Sequence, residues 1–185
     1  MNQQDRAVTP VISTILMVAI VIILAAATSV FFLGITEDIN EPAPNVADTT
    51  GEFELETDRS RTNQIVRITH QAGEDIAVEE IEIVVRASGP SLDTEARLVD
   101  LPATNRYITG NIQGNSGLVD SDSAIVPMRI ITDNGPNTWS AGRTIQFRIG
   151  TSEADFDEGG NADKLEVIIV HTPSDAIISK NTFTP

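Results

Sequence analysis

The chain has 185 residues, no cysteine and a formal net charge of −15, from 12 basic and 27 acidic side chains. This balance excludes a nucleic-acid binder, because such proteins need a basic surface to contact phosphates. The missing cysteines exclude a disulfide framework, a thiolate metal site and a cysteine nucleophile. A hydrophobic fraction of 41% is too high for a disordered acidic protein, so we expect the chain to fold.

The basic residues are almost all arginine, and only Lys164 and Lys180 are lysines. A strongly acidic, lysine-poor chain suits concentrated salt, because screening removes most of the repulsion between like charges. We therefore interpret the composition as that of a halophilic protein. An ordinary acidic secreted protein is the alternative that composition leaves open.

An uncharged segment of 30 residues, 7–36, dominates the N-terminal part of the chain. As an α-helix it would be about 45 Å long, which exceeds the roughly 30 Å hydrocarbon core of a bilayer. It is about twice as long as the apolar region of a cleaved secretory signal, so we expect the segment to be retained. One arginine and the α-amino group precede it, which predicts a cytoplasmic N-terminus and an outer location for the remaining chain.

The start of this segment carries a recognisable motif. Arg6-Ala7-Val8-Thr9-Pro10-Val11-Ile12, followed by Ile15-Leu16-Met17-Val18-Ala19-Ile20, resembles the class III signal of archaeal type IV pilins. The resemblance implies a leader of residues 1–7 that prepilin peptidase removes, with Arg6, Ala7 and Val8 as the processing site. Bacterial type IV pilins have a glutamate at the fifth mature position, where this chain has isoleucine.

The same resemblance implies a helix of residues 8–40 that spans the membrane and then packs in the core of a filament. Pro10 would be the third residue of the mature chain, in the first helical turn, where its missing N–H costs little. Small side chains along the helix allow close approach of other helices. The apolar residues expected at membrane and helix contacts are Val11, Ile12, Ile15, Leu16, Met17, Ile20, Ile23, Leu24, Ala26, Phe31 and Phe32.

Residues 41–50 are acidic and contain two prolines, which predicts an extended linker. Residues 51–185 have short runs rich in valine, isoleucine and threonine between turn residues, which predicts a sandwich-like β head of about 7–8 strands. The fold class is therefore α+β, with a long hydrophobic N-terminal helix. The candidate strands are 52–57, 63–70, 79–87, 95–101, 124–132, 144–150, 164–172 and 176–183.

One acidic loop in the head resembles a calcium-binding sequence. Its candidate ligands and turn glycine match EF-hand loop positions 1, 3, 7, 9, 12 and 6, although position 5 is glycine and the flanks are predicted strands. We therefore favour a solvated acidic turn, and calcium is the single candidate cofactor. The matching residues are Asp155, Asp157, Asn161, Asp163, Glu166 and Gly160.

Other chemistry in the head is sparse. His70 and His171 are expected to be strand residues with rings at the surface, and Trp139 to pack in the core or against a turn. No nucleophile elbow or phosphate-binding glycine loop is present, so we do not expect an enzyme. Residues 66–75, 139–142 and 167–173 resemble segments of archaeal pilin heads.

The resemblance as a whole implies a structural subunit of an extracellular type IV pilus that serves adhesion or cell contact. Its partners would be copies of itself in a helical filament, prepilin peptidase, and the assembly ATPase with its membrane platform. An archaellin of a motility filament and a non-polymerising, membrane-anchored binding module are the alternatives. The Val-Thr-Pro-Val-Ile opening favours the pilin.

Overall fold

The computed structural model describes residues 3–37, 42–58, 61–122, 128–131 and 137–185. The chain divides into two compact units, Met1–Asn40 and Glu41–Pro185. The first unit contains a long helix, and the second is rich in antiparallel strands. The predicted α+β fold class is therefore confirmed.

The helix of the first unit, α1, spans Gln3–Glu37. Its alanine, leucine and methionine residues favour helix, and the one glycine within these bounds, Gly34, lies in the last turn. The helix begins five residues before its predicted start at residue 8, because the polar residues Gln3–Arg6 are also compatible with helix. Its predicted end at residue 40 lies outside the described residues.

The described part of the second unit contains ten strands. Seven have six residues or more, in agreement with the predicted 7–8, and three have only two or three residues. The strands are β1 Val46–Asp58, β2 Arg61–Gly73, β3 Ile76–Ala77, β4 Ile81–Gly89, β5 Leu92–Leu98, β6 Ile112–Gly114, β7 Thr138–Trp139, β8 Thr144–Ile149, β9 Lys164–His171 and β10 Ala176–Phe183.

These strands form three sheets in which the pairing is antiparallel. One sheet has the order β1-β2-β8, the second has the order β10-β9-β4-β5-β6, and β3 pairs with β7 in a small third sheet. Two 3₁₀ turns, Val78–Glu80 and Thr109–Asn111, lead into β4 and β6. In the second sheet β4 pairs with β9 as well as with β5, so some neighbours in the sheet are far apart in the chain.

The two larger sheets contribute to one apolar core. Val66 and Ile68 of β2 are fully buried opposite Phe147 and Ile145 of β8. Alternate residues of β4 and β9 are buried in the same cluster. This alternation is what a strand with one covered face requires, and it gives the head a core without disulfides.

The edges of the two larger sheets meet between β1 and β10. The hydroxyl oxygens of Thr49 and Ser179 are 2.7 Å apart. A Cβ atom at Gly51 would lie 2.6 Å from the side-chain oxygen of Asn181 and 2.8 Å from the ring of Phe183. A larger residue at position 51 would therefore require the side chains of Asn181 and Phe183 to move.

Several predicted strand boundaries differ from the structure by two residues or more, and two of these differences have a local cause. β1 begins at Val46, inside the segment expected to be linker, because its first residue pairs with Gly73 at the far end of β2. β5 ends at Leu98, before the predicted end at residue 101. Asp100 has a left-handed φ of 52°, which stops the extended backbone.

The strand predicted at Ala124–Thr132 is wrong for residues 128–131. Residues 129–131 form a turn, and residue 128 precedes it outside any strand. Ile130 there has a φ of 71°, which is incompatible with a strand. The remaining residues of that prediction lie outside the described residues. The short strands β3, β6 and β7 were not predicted, because two or three residues carry no period-two pattern.

We expect Ile83→Ala to lower the free energy of unfolding by about 2–5 kcal/mol, because Ile83 is fully buried at the centre of the larger sheet. Ile177→Ala removes the same atoms from a side chain that is 61% exposed. This control should change stability by less than about 0.5 kcal/mol. Denaturant titration in detergent, followed by the fluorescence of Trp139, measures both, and equal effects would contradict the assigned core.

Candidate functional site

The exposed apolar surface of α1 is the largest candidate site. The stretch Val11–Val30 has a mean hydropathy of 2.8 and no part of it is buried, so by length and composition it can cross a membrane. Its large apolar side chains are 51–72% exposed. All sides of the helix are apolar, which distinguishes it from the one-sided helix of a soluble domain.

The structure places the predicted contact residues of α1 as follows. Nine of them have exposed side chains: Val11, Ile12, Ile15, Leu16, Met17, Ile20, Ile23, Leu24 and Ala26. Phe31 and Phe32 lie within the bounds of α1, and their side chains are outside the described part.

Two hydroxyl groups of α1, those of Thr14 and Thr28, donate hydrogen bonds within the helix. Thr14 Oγ1 donates to the carbonyl of Val11 at 2.9 Å. Thr28 Oγ1 donates to the carbonyls of Leu24 and Ala25 at 2.9 and 3.0 Å. Because an unpaired polar group in hydrocarbon costs several kcal/mol, these bonds allow the threonines to face lipid or another helix. Sequence analysis did not single out these two residues, although threonine in a charge-free helix is a usable signal.

The predicted processing residues Arg6, Ala7 and Val8 lie within α1. The peptide bond between Ala7 and Val8 therefore has a helical backbone in the uncut chain. Pro10 also lies inside the helix, four residues after Arg6. Cleavage at Ala7–Val8 stays a prediction.

Hydrogen bonds to Gln64 fix the start of the acidic loop. The buried amide of Gln64 donates to the carbonyl of Ala154 at 2.7 Å and accepts from the N–H of Phe156 at 2.6 Å. The ring of Phe156 packs edge-on against Phe53, with centroids 5.2 Å apart. Sequence analysis missed Gln64, because a glutamine in a strand gives no sign that it will be buried.

The predicted calcium ligands within this loop hydrogen-bond to the loop itself. Asp155 accepts from the N–H of Asp157 at 3.1 Å, and Asn161 accepts from the N–H of Asp155 at 2.8 Å. Asp157 also accepts from the hydroxyl of Thr62 at 3.1 Å. Asp163 is exposed, and its N–H donates to the carbonyl of Ser88. These bonds stabilise the turn of the loop.

Glu166, the predicted last ligand, lies on β9 and faces three cations, two on neighbouring strands and Lys164 on β9 itself. Lys180 Nζ is 2.9 Å from its carboxylate, Arg86 Nη1 is 3.7 Å away and Lys164 Nζ is 4.0 Å away. The hydrogen bond from Lys180 lowers the pKa of the Glu166 carboxyl, and the charges of Lys164 and Arg86 act in the same direction against partial burial. Calcium binding by the loop stays the alternative to a solvated acidic turn, and calcium would have to compete with these cations for Glu166.

The prediction that the histidine rings lie at the surface is wrong. His70 is fully buried, with ring nitrogens 3.3 Å and 3.1 Å from the carbonyls of Trp139 and Ala72. His171 is also buried, and its Nδ1 is 2.7 Å from the hydroxyl of Ser174. The ring of Trp139 lies against that of His70, with centroids 5.0 Å apart, and a period-two pattern cannot place such a partner. Trp139 is fully buried as predicted, and its indole N–H donates to the carbonyl of Arg143 at 3.1 Å.

An open cleft of about 440 Å³ lies beside His171, lined by acidic side chains and by Pro42 and Pro44. Its carboxylates come from Glu74, Asp75 and Glu80. Across the described residues, no three histidine, aspartate or glutamate side chains converge in a way that could hold a metal ion.

We expect Glu166→Gln to lower the free energy of unfolding at pH 7 by up to about 1 kcal/mol at low salt. A carboxyl whose pKa is lowered in the folded state stabilises the fold above its ordinary pKa of about 4.3. That contribution is lost as the pH falls through the lower folded-state pKa, so the difference from the parent protein should vanish in acid. Denaturant titration across pH measures it, with Glu158→Gln in the exposed loop as the control. A difference that persists in acid would contradict the assignment.

We expect millimolar calcium to leave the melting temperature unchanged, because Glu166 is paired with cations and no three carboxylates within the described residues converge on one point. Thermal unfolding with calcium, and with chelator as the control, tests this. A calcium-dependent rise that disappears in an Asp155→Asn, Asp157→Asn variant would instead establish a calcium site.

Comparison with known proteins gives a match at the N-terminal end of the chain. A sequence model described as "Archaeal Type IV pilin, N-terminal" matches residues 6–47. The match includes the predicted processing residues and the exposed apolar stretch of α1, and it ends at the second residue of β1. No curated protein sequence matches the chain. Residues 6–47 are therefore similar to the N-terminal domain of archaeal type IV pilins, and this similarity supports a pilin- or archaellin-type subunit.

Proposed function

We propose that this chain is the structural subunit of an extracellular archaeal type IV pilus. The observation that supports this most is the coincidence of the pilin N-terminal match with a helix whose apolar side chains are exposed on every side. A subunit that polymerises needs such a surface on each copy. The function requires no catalytic group, and we propose that the chain is not an enzyme.

The exposed helix must be covered wherever it leaves the membrane. Burial of apolar surface stabilises by about 25 cal/mol per Å², so a charge-free helix is strongly driven out of water. A single partner covers one side, whereas α1 is apolar all round. Helices of several neighbouring copies can cover all sides at once, and we propose that they form the core of the filament.

Before assembly, the same helix would hold a precursor in the cell membrane. We propose that its N-terminus is cytoplasmic, because Arg6 and the α-amino group precede the apolar stretch and acidic residues follow it. Prepilin peptidase would cut between Ala7 and Val8. The assembly ATPase and its membrane platform would then move the subunit into the filament.

The head would form the acidic outer coat of the filament and make adhesive or cell–cell contacts. Residues 51–185 carry 22 acidic and 11 basic side chains, which keeps such a coat hydrated. High salt would screen the repulsion between neighbouring heads, in agreement with a halophilic source. The opening Val8-Thr9-Pro10-Val11-Ile12 favours a pilus subunit over an archaellin.

Shearing filaments from cells that express the chain and sequencing the N-terminus of their subunit tests the proposal. We expect filaments whose subunit begins at Val8. Replacing Arg6 or Ala7 should leave full-length precursor in the membrane and abolish filaments, whereas the exposed head substitution Ile177→Ala should leave processing intact. A membrane-retained monomer that begins at Met1 would refute the proposal, and filaments that rotate would favour the archaellin.

A further inference from the structure

Pro10 occupies an unusual place in the uncut helix. In an α-helix each N–H donates to the carbonyl four residues earlier. α1 begins at Gln3, so Pro10 is its eighth residue and lies beyond the first turn. Because proline has no N–H, the carbonyl of Arg6 has no helical donor. A proline at an interior position disfavours helix far more than any other residue.

Few helical hydrogen bonds therefore stabilise the backbone before Pro10. The first four N–H groups of a helix have no intrahelical acceptor. The helical bonds before Pro10 are therefore those from the N–H groups of Ala7, Val8 and Thr9 to the carbonyls of residues 3–5. The next bond is missing at Pro10. The Ala7–Val8 bond therefore lies in a short N-terminal segment that the rest of α1 supports poorly.

Cleavage removes the cost of this proline. Hydrolysis of the Ala7–Val8 amide adds water, leaving a carboxylate on Ala7 and an ammonium group on Val8. Pro10 is then the third residue of the new helix, where no N–H has an intrahelical acceptor. The same residue thus weakens the precursor helix and is neutral in the mature one.

We propose that Pro10 is a positioning residue for processing, which opens the leader turn of α1 so that the peptidase can reach the Ala7–Val8 bond. A peptide bond held in a helix has to open locally before a peptidase can bind it in extended form. Pro10 precedes the apolar stretch Val11–Val30, so this opening occurs at the polar end of the helix. The inference rests on the proposed function, since it requires that the cut occurs at this bond.

The test compares four full-length precursors in membranes that contain prepilin peptidase. Pro10→Ala restores the donor to Arg6 and should slow cleavage by about tenfold or more. Thr9→Ala changes the neighbouring side chain but keeps its N–H, and should be cut at the parent rate. Pulse-chase with N-terminal sequencing of the product measures the rate and the cleaved bond.

A double variant separates helix opening from a direct contact of Pro10 with the peptidase. Pro10→Ala with Val11→Pro moves the missing donor by one residue and frees the carbonyl of Ala7. Position 11 is the fourth residue of the mature helix, so proline costs little there too. We expect this variant to recover fast cleavage, and failure to recover would overturn the proposal.

Amide hydrogen exchange of the detergent-solubilised precursors gives a second measurement that needs no peptidase. Pro10→Ala should slow the exchange of the Ala7, Val8 and Thr9 amides by about tenfold, and unchanged exchange would overturn the proposal. Fast cleavage of Pro10→Ala between Ala7 and Val8 would also overturn it while leaving the pilin function intact. A parent protein that is never cut at this bond would instead refute the processing step of the proposed function.

Discussion

A helix with no charge between residues 7 and 36 imposes the main physical constraint on this protein. Water cannot solvate its surface, and within its own unit nothing buries the stretch Val11–Val30. The helix therefore needs lipid or other helices around it at every stage. Its two described threonines donate to carbonyls of the same helix, so they do not require a polar partner in either environment.

The head, in contrast to the helix, must be stable in water, and it has an acidic surface and no disulfides. Its apolar core lies between two antiparallel sheets that differ in size. Buried polar groups tie loops to this core. Gln64 fixes the backbone on both sides of Asp155, and Arg148 pairs with Asp120 while it donates to Asn63 at 2.9 Å. Such satisfied polar contacts specify one arrangement of loops that an apolar core alone would leave open.

The net charge of −15 is distributed unevenly between the apolar helix and the head in water. Acidic side chains meet the basic ones across neighbouring strands of the larger sheet, as Arg97 meets Glu82 at 3.2 Å and Lys180 meets Glu166. The excess of acids belongs to the head and the segment before it, whereas the apolar helix carries none. The apolar helix and the acidic residues are therefore separated along the chain.

The long helix, the β character of the head and the pilin-type N-terminus can be predicted from the sequence alone, because each depends on a local pattern. Length without charge defines the helix, alternation defines strands such as β8, and the motif at Arg6–Ile12 is contiguous. The start of β1 at Val46, the burial of His70 and His171, and the pairing of Glu166 with Lys180 are visible only in the folded chain. These features depend on which strands become neighbours in a sheet. Residues far apart in the chain meet there, and no local period encodes their register.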